Sequence, residues 1–541
     1  MHDRGNRGSL VRFAWGLVFG AGVLLRFPVA SGAIDVLPEF RTIEGTNNNT
    51  DHPDWGSAGI ELTRYTRFVF GGQSVDYRDG VSAAAGENRP SPRVVSNAIV
   101  AQSGSVPNEA HASDFVWQWG QFIDHDLDLT GTAAPVEEMD VPVPAGDAFF
   151  DPANTGTAVI TFTRSVYDPA SVPRQQMNQI TAWIDASQVY GSDDARAAEL
   201  RRFKHGELKK GHHKLLPFNV NGFPNGPSTD ASFFIAGDVR ANEQNGLTAL
   251  HTLFMREHNR IVRDFRRLAD EQAYQIARAI VAAEIQSITY NEFLPVLLGP
   301  NGLSPYKGYN PLIDPAINTV FSTACFRFGH SMLSATLLRL DRKSRSIPAG
   351  DLPLRNAFFN PQEISHYGIE PLLRGLATQR AQEVDMMIVD DVRNFLFGPP
   401  GSGGFDLASL NMQRGRDHGL PSYTQTRLDV GLTQPITSFS DIPASPEVQA
   451  RLASVYASVN DIDVWVGGLA ETHVSGMVGQ LIYTVLKDQF ERVRDGDRFW
   501  YENYLPANLR AQYIDGLKLS DIIRRNTPIR SEIQDNVFVI P

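Results

Sequence analysis

The 541-residue chain has one cysteine, Cys325, so intrachain disulfides and cysteine-built zinc or iron–sulfur sites are excluded. A basic excess is also lacking. Lys and Arg number 49 against 61 Asp and Glu, a net charge of −12, which argues against a nucleic-acid partner. No apolar run is long enough to span a bilayer: the stretch from Phe13 to Leu25 is about 13 residues where a span needs about 20. There is no internal repeat, no monotonous interdomain linker, and no series of alternating strands that would build a large sheet. Stability must therefore come from packing and bound ligands, and 42% hydrophobic residues suffice for a large core.

The N-terminus reads as an export signal over residues 1–33. Arg4, Arg7 and Arg12 precede the apolar run, and the small residues Ser31 and Ala33 follow it at the cleavage positions. A mature chain of residues 34–541 would be secreted. Losing residues 1–33, whose net charge is +3, would take the total from −12 to −15. Helical spacing dominates after residue 110. Leu247, Leu250, Phe254, Ile261 and Phe265 share a face, and the spacing predicts long helices over Ile276 to Leu298, Pro311 to Leu340 and Met477 to Val493. Ser445-Pro446-Glu447 is a helix start and Gly496 a helix stop. The Pro/Gly/Ala-rich stretches 131–160, 210–230 and 398–404 read as surface loops. The expected fold is one large, mainly α domain with little β structure.

Two stretches carry chemistry. In WQWGQFIDHDLDLT, residues 117–130, Gln121, Asp124 and His125 stand at i, i+3 and i+4, placing an amide, a carboxylate and an imidazole on one helical face. Asp126 lies about 100° further round and points elsewhere. Taken alone, a buried His beside acids is more often a hydrogen-bonded core residue than a catalyst. In TAWIDASQ, residues 181–188, Thr181, Trp183, Asp185 and Ser187 alternate, and oxygen donors in such a loop suit a hard cation such as calcium. On spacing alone, a turn capping a helix is the better account of them.

The first stretch closely resembles the distal helix of the animal haem peroxidases, the family of myeloperoxidase, lactoperoxidase and peroxidasin. The resemblance continues in order through RTIEGTNNN (41–49), VSNAIV (95–100), TAWIDASQVYG (181–191), AGDVRANE (236–243), REHNR (256–260), FRFGH (326–330), LNMQRGRDHGLP (410–421) and RDGDRFWYEN (494–503). It covers about residues 38–541.

The resemblance implies a peroxidase that reduces hydrogen peroxide and oxidises halides, thiocyanate or small phenols through a ferryl intermediate. His125 matches the distal base, Arg240 the fixed positive charge that stabilises the leaving oxygen, and Gln121 the residue holding water or halide above the iron. Asp124 and Glu243 match carboxylates that esterify the haem methyl groups. Gln244 stands where myeloperoxidase has a methionine, so a third, sulfonium link is not expected. His330 matches the proximal iron ligand, Asn411 the partner of its other ring nitrogen, and Arg327 and Arg414 the arginines that pair the propionates. For calcium, the matches assign side-chain donors to Asp126, Thr181, Asp185 and Ser187 and a backbone carbonyl to Trp183. His258 and His418 fall in family motifs but read as packing residues, and Cys325 as a buried free thiol.

Two other readings compete. A haem-dependent fatty-acid dioxygenase shares this fold but lacks the ester carboxylates, both present here. An adhesive matrix protein with an inactive peroxidase fold is opposed by the intact set of catalytic positions and by the absence of an RGD triplet.

Overall fold

In the computed structural model, which describes residues 37–68 and 71–541, the helix Phe115–Leu127 turns most of its surface inward; Phe115, Trp119, Phe122 and Ile123 are fully buried. These rings meet the helix Asn245–Ile261. Phe122 stacks on Phe254 with centroids 5.2 Å apart, and Trp119 tilts against the same ring at 5.7 Å. Full burial of one such ring contributes about 1.5–3 kcal/mol, so these apolar contacts fix the two helices against each other. Gln244 caps the second helix, its side chain accepting from the Gly246 N–H at 2.6 Å. The expected export signal, residues 1–33, lies outside the described residues.

The apolar stretch 276–298 is helical throughout: Asp270–Ile288 continues through a π-helical turn, Thr289–Phe293, into Leu294–Leu298. Ser445 caps the helix Pro446–Ala453, and Gly496 closes Gln480–Asp495. Among the described residues, strand is confined to short pieces. Ile60–Glu61, Gln175–Asn178 and Tyr167–Asp168 form a three-stranded antiparallel sheet, and two further sheets have two strands each. One of these pairs Val141–Pro142 with Val159–Ile160 inside the stretch read as a loop, where Val141, Val143 and Ile160 make a small core of their own. Two-residue strands are too short to register as alternation. Residues Glu39–Pro541 form one compact unit, and the fold is the expected mainly helical one.

The long helix expected over Pro311 to Leu340 does not form. Only Thr319–Thr323 is α-helical, capped by Asn318; the chain breaks at Ala324, winds tightly as a 3-10 helix over Cys325–His330, and reaches a short strand at Thr336–Leu337. Pro315 would fall in the interior of a helix started at 311, where it removes an amide donor and clashes with the preceding turn. At the break, the carbonyl of Ser322 is taken up by Arg327 Nε at 2.9 Å. The apolar residues here do not mark one helix; they line the wall from which His330 projects.

Candidate active site

A cavity of about 240 Å³ lies between these elements. Gln121, Asp124 and His125 enter it from the helix Phe115–Leu127, Arg240 and Glu243 from the segment before the helix Asn245–Ile261, and Arg327 and His330 from the 3-10 helix. The two histidines are 205 positions apart in the chain and line one space.

Arg240 is held rigidly. Its Nε and Nη2 donate to the two oxygens of Asp238, each at 2.9 Å, and Nη2 also donates to the Asp128 carbonyl at 2.8 Å. Nη1 is left 3.6 Å from Asp124 Oδ2, which also lines the cavity. Burial disfavours the charged guanidinium, but Asp238 outweighs it and raises the pKa above the ordinary arginine value. Burial also works against the Asp238 carboxylate; Arg240 and His125 outweigh it and hold that group well below the usual range. Asp238 Oδ1 lies 3.6 Å from His125 Nδ1, a nitrogen that is buried and has no hydrogen-bond partner among the described residues. Burial first, and the Arg240 charge second, push His125 well below its ordinary pKa, so the imidazole is neutral.

Asp238 was not visible as a site residue. Its neighbours in AGDVRANE carry the resemblance, but its role depends on a turn that folds its carboxylate back onto a side chain two residues later. The segment is non-helical, and a Glu243 N–H to Arg240 carbonyl bond of 2.8 Å brings these two residues together. Gly237 is where the turn meets the 181–191 motif. A Cβ there would lie 2.3 Å from the Ser187 carbonyl oxygen and 2.5 Å from the Tyr190 nitrogen, so only glycine allows this approach.

Both candidate ester carboxylates favour the neutral acid. Burial, and then the charge of Asp128, raise Asp124 well above the usual range; burial pushes Glu243 up to about 7. Gln121 joins them, donating from Nε2 to Glu243 Oε1 at 3.2 Å and accepting at Oε1 from Gln244 at 3.2 Å.

On the other wall, the Asn411 amide sits 2.8 Å from His330 Nδ1. An asparagine serves either tautomer, donating from its nitrogen or, turned over, accepting at its oxygen; the second arrangement leaves the Nε2 lone pair free for a metal. Burial pulls His330 down to about 3, so the ring is neutral. Arg327 lines the cavity, and its Nη1 donates to Asn411 Oδ1 at 3.3 Å in the orientation that points the amide nitrogen at His330; the turned-over amide gives up that bond. Arg414 does not line it. Its Nη1 donates to Ser165 Oγ at 2.7 Å and Asp417 Oδ2 at 2.9 Å, and burial lowers its pKa to about 10, against the pull of Asp417 and with the opposing charge of Arg327 nearby.

Asp126 turns away from the cavity and is fully buried. Its carboxylate accepts from the Ala186 N–H at 3.0 Å, the Ser187 N–H at 2.6 Å and Ser187 Oγ at 2.7 Å. The loop is not simply extended: Ala186 has φ +66° and Ser187 opens a short helix, Ser187–Tyr190. Asp185, also fully buried, accepts from Thr181 Oγ1 at 3.2 Å and leaves Oδ2 without a partner among the described residues. Burial, then the charge of Asp185, raise Asp126 well above the usual range. Trp183 packs its indole inside, with Nε1 donating to the Gly45 carbonyl at 3.2 Å. His258 is bracketed by Tyr190 Oη at 2.8 Å and the Gly206 carbonyl at 2.7 Å, and His418 by Thr323, Thr319 and Ser165 hydroxyls. Cys325 is a buried free thiol.

The sequence profile described as "Animal haem peroxidase" matches residues 40–538. Peroxinectin A of Dictyostelium discoideum is 35% identical over 527 residues, covering 92% of this chain and 96% of that protein. Among solved structures, Peroxidase A from D. discoideum superposes with a TM-score of 0.84 at 33% identity, covering 93% of this chain and all of the other. A fatty acid alpha-dioxygenase from Arabidopsis thaliana reaches a TM-score of 0.76 at 21% identity, covering 93% of this chain and 84% of that one, a likeness of fold alone. With the profile spanning nearly the whole described chain and two histidines lining one cavity, the protein belongs to the animal haem peroxidase family and is a haem-dependent peroxidase, an oxidoreductase.

Proposed function

We propose that the chain is a secreted enzyme that reduces hydrogen peroxide and takes electrons from halides, thiocyanate or small phenols. One observation carries this reading: His125, neutral and beside a locked Arg240, shares a cavity with His330, whose Nδ1 is braced by Asn411. These residues fit a haem. His330 would hold the iron through Nε2, and Arg327 would face the propionates; Arg414, expected to share that role, is held on Ser165 and Asp417 outside the cavity and would add only its nearby positive charge. When bound, the haem supplies the iron at which peroxide is cleaved and through which donors are oxidised.

The protein side chains do the rest. His125 takes the peroxide proton and returns it to the departing oxygen. Arg240 presents a fixed charge where negative charge develops, and because Asp238 already holds it, no reorganisation is needed at that moment. Gln121 positions the incoming water or halide. The N-terminal pattern over residues 1–33 supports export. The reading is tested by steady-state assays with iodide, bromide, thiocyanate and a phenol, with linoleate as a control. Peroxide-dependent oxidation of iodide and the phenol is expected, without oxygenation of linoleate. Linoleate oxygenation without peroxide-dependent donor turnover would favour the dioxygenase reading instead.

Asp124 and Glu243 are proposed to form ester links to haem methyl groups, each link replacing a methyl C–H bond with a C–O bond while hydrogen peroxide, as the two-electron oxidant, is reduced to water. The surroundings work against the charged form of both half-buried acids, so little stabilised charge is given up on esterification. Acid–butanone extraction of the mature enzyme should therefore leave the Soret absorbance with the polypeptide. Quantitative release would refute the ester links. Gln244 caps a helix and provides no sulfur.

For calcium, the donor set fits: two buried carboxylates, an Asp185 Oδ2 unpartnered among the described residues, and the hydroxyls of Thr181 and Ser187. Trp183 would add its carbonyl. The ion would bind the helix that carries His125 to this loop. Chelation of calcium, or Asp126→Ala, is expected to depress haem incorporation and turnover together. Unchanged turnover in calcium-free protein would end this assignment.

A further inference from the structure

Asp238 touches both groups that act on peroxide, and no role has been assigned to it. It is 3% exposed, bidentate to Arg240, and its Oδ1 lies 3.6 Å from His125 Nδ1, which has no hydrogen-bond partner among the described residues. Its own position is set from behind: its N–H donates to the Gln188 carbonyl at 3.1 Å, and Gly237 packs without a Cβ against the backbone of Ser187–Tyr190. The carboxylate is thus anchored to the loop that also receives Asp126, the residue after His125.

We propose that Asp238 is the positioning residue of the peroxide site, selecting the His125 tautomer and aligning Arg240 with one carboxylate. This rests on the peroxidase reading above. The argument is electrostatic. If His125 Nδ1 carried the lone pair, that lone pair would face a carboxylate oxygen in a buried setting where no water screens them. With the hydrogen on Nδ1, the N–H dipole points at the negative charge instead. The Nε2 lone pair is then the one available to take a proton. When Nε2 takes the peroxide proton, the ring becomes a cation 3.6 Å from a carboxylate that stays ionised. No proton passes to Asp238; it stabilises the imidazolium while the proton waits to be returned to the leaving oxygen. The same carboxylate fixes Arg240 through two parallel bonds, which leaves Nη1 as the donor free to act.

The test uses haem-loaded, full-length Asp238→Asn and Asp238→Glu. Asn keeps an oxygen that can accept from the Arg240 N–H, now 2.7 Å from Asp238 Oδ1, and loses the charge; Glu keeps the charge. Three quantities are read: haem content, the rate constant per haem for reaction with hydrogen peroxide, and the association rate of cyanide, which enters as HCN and must also leave its proton on the distal base. Asp238→Asn is expected to slow both reactions by about 10–100-fold, the usual effect of removing the partner that orients a reactive group, at wild-type haem content. Asp238→Glu should recover most of the loss. A peroxide rate within twofold of wild type in Asp238→Asn would overturn the proposal, as would an Asp238→Glu variant no faster than the Asn one. If Asp238→Asn takes up too little haem to measure, the Glu variant decides: near-wild-type rates support the charge argument, and rates at least tenfold lower contradict it. Wild-type protein that failed to react with peroxide would sink the peroxidase reading itself, a different outcome from equal rates in variant and wild type.

Discussion

Replacing His330 by alanine is expected to give a folded chain that fails to keep a correctly ligated haem. The substitution removes the proposed axial bond itself, and the nearby sulfur side chains do not line the cavity: Met332 is fully buried, and Cys325 is a buried thiol whose pKa burial pushes further up. It also strips Asn411, fully buried, of its partner on that wall, leaving a polar group unsatisfied at a cost of about 1–3 kcal/mol. That penalty is too small to unfold a core built on the ring contacts of Trp119, Phe122 and Phe254. Far-ultraviolet circular dichroism should therefore remain native-like, while the ratio of Soret to protein absorbance collapses or the band moves. Wild-type haem content with an unshifted band would remove His330 from the ligand position.

The sequence reveals the site better than its surroundings. His125, Gln121 and Asp124 are placed by simple helical spacing, and the helix Phe115–Leu127 presents them to the cavity as that spacing requires. Asp126 points away for the same reason. Helices with dense apolar faces and clear caps, such as Asn245–Ile261 and Gln480–Asp495, are legible because burial and capping agree over many residues. Legibility fails where structure depends on breaks. Around 311–340 the apolar content resembles a helix, yet Pro315, the kink at Ala324 and the Arg327–Ser322 bond make a cavity wall. It fails again for side chains whose partners are set by turns. The proximity of Glu243 to Arg240 arises from a turn, Asp238 is drawn back onto Arg240, and Arg414 is directed to Asp417 and not to the cavity. None of these has a periodic signature, because each depends on a few dihedral angles and not on a repeated face.

Replacing His125 by alanine should separate haem binding from chemistry. His330 and the 181–188 loop proposed to hold calcium are untouched by this change, so haem content is expected to match wild type. What is lost is the neutral imidazole that accepts the peroxide proton, a role whose removal typically costs about 100-fold to 10,000-fold. Arg240→Ala should slow the same step by about 3–4 kcal/mol if the guanidinium acts as an oxyanion-hole donor does. Oxidation of a donor by enzyme already reacted with peroxide should be less affected in both, since neither side chain is needed to deliver an electron.

The central claim is that His125 is the proton acceptor above a haem held by His330. Stopped-flow mixing of haem-loaded wild type and His125→Ala with a slight excess of hydrogen peroxide tests it most directly, following the first change in the Soret band. The account predicts equal haem content and a first step at least 100-fold slower in the variant. A variant that reacts at the wild-type rate would contradict the assignment of His125, and with it this account of how the cavity works.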